Sequence, residues 1–165
     1  MTDAPTDAKL FRSAMSRLGA AVNIITTDGP AGRHGMTASA VCSVTDTPPT
    51  VLVCVNRDNR SHRFFVENRA LCINVLAARH QALSLDFARQ TVEDRFAGAG
   101  WSTLVTGAPA LEDATVALDC RISARQEVGT HSVFFCAVQA TRIWDGAAEG
   151  LIWFDRQFHP LAATG

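Results

Sequence analysis

Runs of alternating hydrophobic and polar residues dominate the chain and predict a mainly β protein. The clearest run spans residues 115–125, where apolar side chains stand at every second position from Val116 to Ala124. A period of two places one face of a strand against a core and the other toward solvent. Residues 132–143 form a second long run after the turn VGTH, which predicts a hairpin. Further strands are predicted at residues 22–27, 36–44, 51–56, 71–76 and 151–154.

Helical spacing is confined to short segments between these strands. Residues 10–18 place apolar side chains on one face of a helix, which Gly19 stops. Residues 61–68 and 79–88 have similar spacing, and residues 92–97 predict one more turn. Because strands and helices do not alternate regularly, the pattern favours an antiparallel barrel over a Rossmann sheet. We expect about six strands in a barrel with a few short flanking helices.

Length, composition and charge bound the class of protein. The 165 residues are 47% hydrophobic and 19% charged, which suits one globular domain, expected over residues 10–165 after a flexible N-terminus over residues 1–9. Fifteen Lys and Arg against sixteen Asp and Glu argue against a nucleic-acid partner. No apolar run reaches the roughly 18 residues of a membrane span, and the opening lacks the apolar segment of a signal peptide. We expect a cytoplasmic protein without a membrane partner.

The cysteine content agrees with a reducing compartment. The five cysteines are an odd number, and their wide gaps include no CxxC pair and no cluster with ligand spacing. Each lies in an apolar or alternating run, so we expect small buried thiols and no metal site. These residues are Cys42, Cys54, Cys72, Cys120 and Cys136.

Two segments carry residue types suited to a phosphorylated planar ligand. The small residues TASA at 37–40 would let a flat ring lie close to the backbone, although an ordinary strand of small residues fits them too. The segment NRDNRSHR at 56–63 follows a strand and opens a predicted helix. Asn59 or Ser61 is placed to cap this helix, and its free N–H groups and three arginines would attract an anion. A plain capped helix with solvated arginines is the alternative interpretation.

The turn between the two longest strands contains a third candidate. His131 follows Gly129 and Thr130 at the strand tip, where an imidazole could orient or protonate a substrate. An ordinary turn histidine is the alternative. The spacing of the three glycines from Gly29 to Gly35 is GxxGxxG, so the dinucleotide fingerprint GxGxxG is missing.

Taken in order, these segments resemble one family. The stretches AAVNIITT, GMTASAVCSVTDTPPTVLVCVN, LCINVL, DRF, VGTH and GLIWFDRQFHPL are similar to the short-chain flavin reductases. These proteins are the reductase components of two-component flavin-dependent monooxygenases and have the FMN-binding split-barrel fold. The similarity covers residues 10–161. It implies a six-stranded antiparallel split β-barrel that reduces FMN or FAD with NADH or NADPH and supplies diffusible reduced flavin to a separate oxygenase.

The resemblance also implies which residues contact the flavin. Asn56 and Ser61 would hold its phosphate region, and Phe87 and Arg95 would lie near its outer part. The residues that would line the isoalloxazine and the ribityl chain are Thr37, Ala38, Ser39 and Ala40.

The nicotinamide side of the implied site lies at the hairpin turn. His131, in the turn that contains Gly129, would stand beside the nicotinamide, and Phe158 would lie near the same face. Thr130 replaces an aspartate that is common in this turn of the family. The chain has no tyrosine, so phenylalanines occupy aromatic positions. Hydride transfer depends mainly on positioning, and we therefore expect His131 to orient the nicotinamide or to place charge near it.

Several interpretations stay open on the sequence alone. The barrel could be a non-catalytic flavin-binding module, a pyridoxine-phosphate oxidase-like FMN enzyme or a structural adaptor. NADH and NADPH remain alternatives, as do FMN and FAD. The run VFFCAV at 133–138 is apolar on both faces, which leads us to expect a homodimer.

Overall fold

The computed structural model describes residues 5–89 and 95–162 and contains twelve strands in those ranges. In chain order the strands are β1 (Ala20–Ala21), β2 (Asn23–Thr27), β3 (His34–Ala38), β4 (Val41–Asp46), β5 (Pro49–Asn56), β6 (Ala70–Val75), β7 (Trp101–Thr103), β8 (Pro109–Leu111), β9 (Val116–Val128), β10 (His131–Ile143), β11 (Glu149–Phe154) and β12 (Gln157–Ala162). The helices are α1 (Ala8–Met15), α2 (His62–Asn68) and α3 (Gln81–Ala88), and a 3-10 turn, Ala78–His80, precedes α3.

The framework is a seven-stranded antiparallel sheet in the order β3-β2-β6-β9-β10-β5-β4. Its two end strands, β3 and β4, are joined by Ser39 and Ala40 alone, and three Cα steps span at most about 11 Å. The ends of the sheet therefore lie side by side, which rolls it into a barrel. The mainly β, antiparallel fold is confirmed.

The main sheet has seven strands where six were expected, because one predicted strand is two. Residues 36–44 divide at Ser39 and Ala40, where the chain passes from one end of the sheet to the other. The Ala40 carbonyl accepts a hydrogen bond from the Cys54 N–H at 3.0 Å, and the Ser39 carbonyl accepts one from Val41. An unbroken strand could pair with only one end of the sheet, so the corner is what the barrel requires.

Side chains that alternate along β5 and β10 fill the barrel. Val53, Val55 and Phe134 are fully or almost fully buried, and they pack in one cluster with residues of β2 and β6. Burying each such side chain is worth roughly 1.5–3 kcal/mol. The intervening residues Val133 and Phe135 point outward and are half-buried. The outward face of β10 is therefore apolar, as the sequence predicts.

A second cluster packs α3 and β11 against the outside of β2 and β3. Phe87 of α3 is 1% exposed and contacts the rings of Phe96 and Trp101 at centroid distances of 5.0 and 5.7 Å. A Cβ at Gly35 would lie 2.7 Å from the Phe87 ring, so β3 needs glycine at this position. This packing fixes α3 beside the residues that follow Gly35.

The helices agree in number with the prediction and differ in their bounds. The first helix runs over Ala8–Met15, two residues earlier than expected, because the Asp7 carboxylate accepts the Leu10 N–H at 2.7 Å and caps it. The turn predicted at residues 92–97 lies partly outside the described residues. Across residues 5–89 and 95–162, the structure has no helix of the length and apolarity that a membrane crossing requires.

Three of the five thiols are buried, as predicted. Burial raises the pKa of Cys72 and of Cys136 to about 12, and it also raises the pKa of Cys120. The prediction is wrong for Cys42, which lies exposed on β4, and Cys54 is only half-buried. Cys42 lies on β4, an end strand of the sheet, and Cys54 lies on the neighbouring β5. Alternation alone does not say which face of these strands is covered.

Candidate functional site

An open groove of 240 Å³ lies where β3 ends and α3 crosses it, and we call it the apolar groove. Its lining combines small residues of β3 and its corner, one face of α3 and two aromatic side chains of β11 and β12. The lining residues are Val22, Thr37, Ala38, Ser39, Ser84, Leu85, Ala88, Trp153 and Phe158. Small side chains on one wall and aromatic rings on another suit a flat ligand.

The walls of the apolar groove are held in place by their own contacts. The Thr37 hydroxyl donates to the Ser84 carbonyl and so ties β3 to α3. Trp153 and Phe158 pack edge to face at 4.8 Å between ring centroids. Ala40 lies just beyond the groove at the corner of the barrel, where its carbonyl binds the Cys54 N–H. The groove thus receives three of the four predicted small residues and Phe158.

A second, charged cavity lies at the other end of β3, and we call it the basic pocket. It has a volume of 460 Å³ and is lined by His34, Arg57, Asp58, Asn59, Arg60, His62, Arg63 and Phe64. The His34 imidazole stacks on the Phe64 ring at 4.2 Å, and the Arg63 guanidinium lies 4.5 Å above the same ring. The predicted NRDNRSHR segment therefore forms most of a cavity that can hold an anion.

Ser61 supports the basic pocket from behind. Its side chain is 1% exposed, and its Oγ lies 2.9 Å from His34 Nδ1 and 3.2 Å from the Gly35 carbonyl. The Asn59 carboxamide accepts the Ser61 N–H at 2.8 Å, so Asn59 closes the turn before α2 while the Ser61 side chain makes no cap bond. In this structure the Ser61 hydroxyl positions His34 instead of facing the open cavity.

Arg95 adds positive charge beside His34. Its guanidinium donates to the Gly35 carbonyl at 3.0 Å. Burial, followed by the charge of Arg60, lowers the pKa of Arg95. Burial also lowers the pKa of His34, and the charges of Arg95, Arg60 and Arg63 lower it further. The lowered pKa favours the neutral imidazole, while the arginines supply the positive field.

The hairpin tip adjoins the basic pocket. His131 stands directly opposite Asn56 in the β5–β10 ladder, and its Nδ1 lies 2.9 Å from the Thr130 hydroxyl. Gly129 has φ +54°, which a two-residue hairpin turn with glycine first requires. The Asn56 carboxamide accepts the Asp58 N–H at 2.9 Å. Asn56, Gly129 and His131 thus lie together at the hairpin tip, although the resemblance implies a phosphate role for Asn56 and a nicotinamide role for His131.

Two of the implied residues occupy other surroundings. Phe87 is buried behind Gly35, because its ring fills the space that a β3 side chain would need. It supports β3 and presents no open surface to a ligand here. Phe158 lies in the apolar groove, whereas the hydrogen bonds around His131 connect to the basic pocket.

Sequence reasoning did not single out three residues that line the cavities. Trp153, His34 and Phe64 line these cavities and have no predicted role in the sequence analysis. No local motif marks them, because His34 and Phe64 meet only where α2 packs beside β3, and Trp153 reaches the apolar groove from β11. The one sequence signal is that His34 lies shortly before TASA and Phe64 directly after NRDNRSHR.

The chain matches the family model described as "Flavin reductase like domain" over residues 15–162, and it belongs to that family. It is 58% identical over 156 residues to the FMN reductase (NADH) RutF of Escherichia coli, covering 94% of each chain. Among solved structures it is similar to the NADH:FAD oxidoreductase SgcE6 of Streptomyces globisporus, in complex with NAD and FAD fragments. That likeness has 28% identity and a TM-score of 0.89 and covers 98% of this chain and 97% of the other.

A further solved structure is BorF, the flavin reductase component of a bacterial two-component tryptophan halogenase. It is 28% identical with a TM-score of 0.86, over 96% of this chain and all of the other. The family, the fold and the reductase class that the resemblance implies are therefore confirmed.

Proposed function

We propose that the protein is an NADH-dependent flavin reductase that uses FMN and releases it reduced. The observation that carries the proposal is the arrangement along β3, which joins a flat apolar groove to a basic pocket. His34 and Thr37 are three residues apart, so the two cavities begin about 10 Å from each other along the strand. Such a spacing suits a planar ring at one end and a phosphate at the other. The similarity to an FMN reductase (NADH) favours FMN and NADH over FAD and NADPH.

The flavin supplies the redox chemistry, since its ring accepts a hydride from reduced nicotinamide. The residues of this chain bind and orient. Thr37, Ala38 and Ser39 form the wall against which the ring would lie, and Trp153 and Phe158 exclude water from the opposite side. Arg60, Arg63 and Arg95 provide the positive charge that a phosphate requires.

The proposed role of His131 is to orient the nicotinamide. We expect His131→Ala to raise the KM for NADH while flavin binding stays nearly intact, because the imidazole lies at the hairpin tip and outside the apolar groove. Steady-state rates and flavin titration measure the two effects separately. Equal losses in both would remove this role.

Turnover distinguishes a reductase from the alternatives. NADH and NADPH are each mixed with riboflavin, FMN or FAD, and loss of the reduced-nicotinamide absorbance is followed. A reductase oxidises NADH in proportion to added flavin. A flavin-binding module or an adaptor gives no turnover, and an enzyme of the pyridoxine-phosphate oxidase type would retain its flavin through purification.

We also propose that the protein is a homodimer that serves a separate oxygenase through free reduced flavin. The half-buried outward residues Val133, Phe135 and Leu52 form an apolar face across β10 and β5, which supports a self-association surface. The likeness to the reductase component of a two-component halogenase supports delivery of flavin to a partner enzyme. Sedimentation of the protein and of Phe135→Glu tests the dimer, which the charge should dissociate.

The organisation and location of the chain complete the proposal. A single domain over residues 10–165 is supported by the family match over residues 15–162. A cytoplasmic location is supported by the five free thiols, because disulfide-free cysteines are typical of reducing compartments.

A further inference from the structure

Arg57 makes an unusual set of contacts with the turn that carries His131. Its backbone N–H donates to the Thr130 carbonyl at 2.9 Å, and its Nη2 donates to the Gly129 carbonyl at 2.6 Å. Gly129 and Thr130 are the two residues of the hairpin loop, so both loop carbonyls bind one residue of β5's extension. The Arg57 Nη1 also pairs with the Glu127 carboxylate at 2.9 Å. Both Nη1 and Nη2 of the guanidinium therefore bind the hairpin.

The loop in turn holds the His131 ring. The Thr130 hydroxyl lies 2.9 Å from His131 Nδ1, and the backbone of His131 is fixed between Val128 and Asn56 in the two ladders. The position of the hydroxyl depends on how the loop is tilted. Because Arg57 binds both loop carbonyls, it sets that tilt and therefore the orientation of the imidazole.

We infer that Arg57 is a positioning residue for His131 and acts on the nicotinamide half of the reaction, not as a phosphate ligand. This inference rests on the proposed function. It also divides the three arginines of the NRDNRSHR segment, which the sequence treats as equivalent. Arg60 and Arg63 contribute charge at His34, whereas the Arg57 guanidinium, which also lines the basic pocket, is bonded to the hairpin tip.

The exposure of these groups separates positioning from stability. The side chains of Arg57 and Glu127 are 44% and 49% exposed, and an ion pair this exposed contributes little to stability. A lysine at position 57 keeps the charge and the backbone bond to Thr130. It has no planar fork to reach Glu127 and the Gly129 carbonyl together.

Arg125→Lys is the matched control for Arg57→Lys. The Arg125 Nη2 also approaches the Glu127 carboxylate, at 3.7 Å, so its replacement tests the same ion-pair partner. We expect Arg57→Lys to raise the KM for NADH about fivefold and to leave the KM for FMN and the urea midpoint unchanged. Arg125→Lys should change none of the three. An NADH effect of equal size in both variants would overturn the inference.

A double mutant tests whether Arg57 acts through His131. In a His131→Ala protein, adding Arg57→Lys should cause no further rise in the KM for NADH, because the two effects share one route. Full additivity would show that Arg57 acts independently and would overturn the inference.

Amide hydrogen exchange keeps this test separate from the proposed function. The peptide that contains residues 127–133 should exchange faster in Arg57→Lys than in the wild type or in Arg125→Lys. Equal exchange in all three proteins counts against Arg57 whatever the activity. Absence of NADH oxidation by the wild type counts against the proposed function, and the exchange result still decides the role of Arg57.

Discussion

The two ends of β3 differ in what they could bind. At the Thr37–Ser39 end the neighbours are small or aromatic, and the Thr37 hydroxyl is occupied by the Ser84 carbonyl. At the His34 end, three arginines surround an imidazole whose pKa is lowered. One strand of five residues therefore presents an apolar surface and a charged one a few residues apart.

Under the proposed function, this difference divides the recognition of an amphipathic ligand between the two ends of β3. A planar ring gains most from contact with apolar walls, and a phosphate gains most from guanidinium groups. Gly35 lies between the two ends, where Phe87 packs behind it and Arg95 binds its carbonyl. Substitutions at each end of β3 should accordingly weaken the binding of different parts of the flavin.

The largest effect is expected from filling the apolar groove. Ser39→Trp places a bulky ring where the isoalloxazine would lie, and misplacement of a reactant by about 1 Å already costs about 100-fold. We expect the KM for riboflavin and for FMN to rise by about 100-fold each. Ser13→Trp, on the exposed surface of α1, is the control. A loss confined to FMN would contradict the assignment of this end to the ring.

Gly35→Ala should lower the free energy of unfolding and thereby affect both ends of β3. The new Cβ would lie 2.7 Å from Phe87, whose ring is confined by Phe96 and Trp101. Overpacking of this kind costs about 1–3 kcal/mol, which urea denaturation can measure. Gly19→Ala is the control, because its Cβ would meet Ile152 at an ordinary 3.6 Å. Equal stability of the two variants would show that the Phe87 ring can shift at little energetic cost.

Arg63→Gln should act on the phosphate end alone. Arg63 lines the basic pocket and lies over Phe64, so its removal lowers the positive charge while the apolar groove is unchanged. We expect the KM for FMN to rise about fivefold and the KM for riboflavin to stay the same. Arg12→Gln on α1 controls for net charge. A riboflavin effect of equal size would mean that Arg63 serves the ring.

The smallest effect is expected in the pH dependence of stability. The pKa of His34 in the folded protein lies below the unfolded value of 6.5, so the unfolded chain binds more protons between the two values. The stability contribution of neutral His34 is therefore complete above pH 6.5 and declines as the pH falls. Urea unfolding between pH 7 and 5 should show a steeper loss for the wild type than for His34→Asn.

Two other groups with lowered pKa values, His62 and Asp113, also make stability depend on pH. Burial also lowers the pKa of His62, which remains in both proteins and cancels. Burial acts to raise the pKa of Asp113, but hydrogen bonds from His80 and Arg79 outweigh it and leave it below 3.8. Its stabilising effect is lost only in more acidic solution. His159→Asn replaces an exposed histidine as a control, and identical slopes for all three proteins would rule out a role for His34.

The strands and the family were predictable from the sequence because both depend on local order. The alternation from Val116 to Ala124 appears in the structure as β9, and the return strand appears as β10. The TASA and NRDNRSHR segments each line one cavity, because residues close in sequence stay close in space. The barrel corner at Ser39 was missed, because both halves of the segment have strand character.

The partners of individual side chains were not predictable. Ser61 and His34 are 27 residues apart, and their hydrogen bond exists because α2 folds back over β3. Arg57 and Gly129 are 72 residues apart and meet because β5 and β10 are neighbours in the sheet. Phe87 has the same aromatic side chain whether it contacts a flavin or packs in the core. Only the packing of the folded chain shows that it lies behind Gly35.

Periodicity, small-residue runs and motif order thus determined the β class, the family and the segments that line the two cavities, because these properties are carried by neighbours along the chain. The tertiary structure decided which side chain faces a cavity and which supports it from behind. Strand register and helix docking bring together groups that are dozens of residues apart, and no local pattern encodes that meeting.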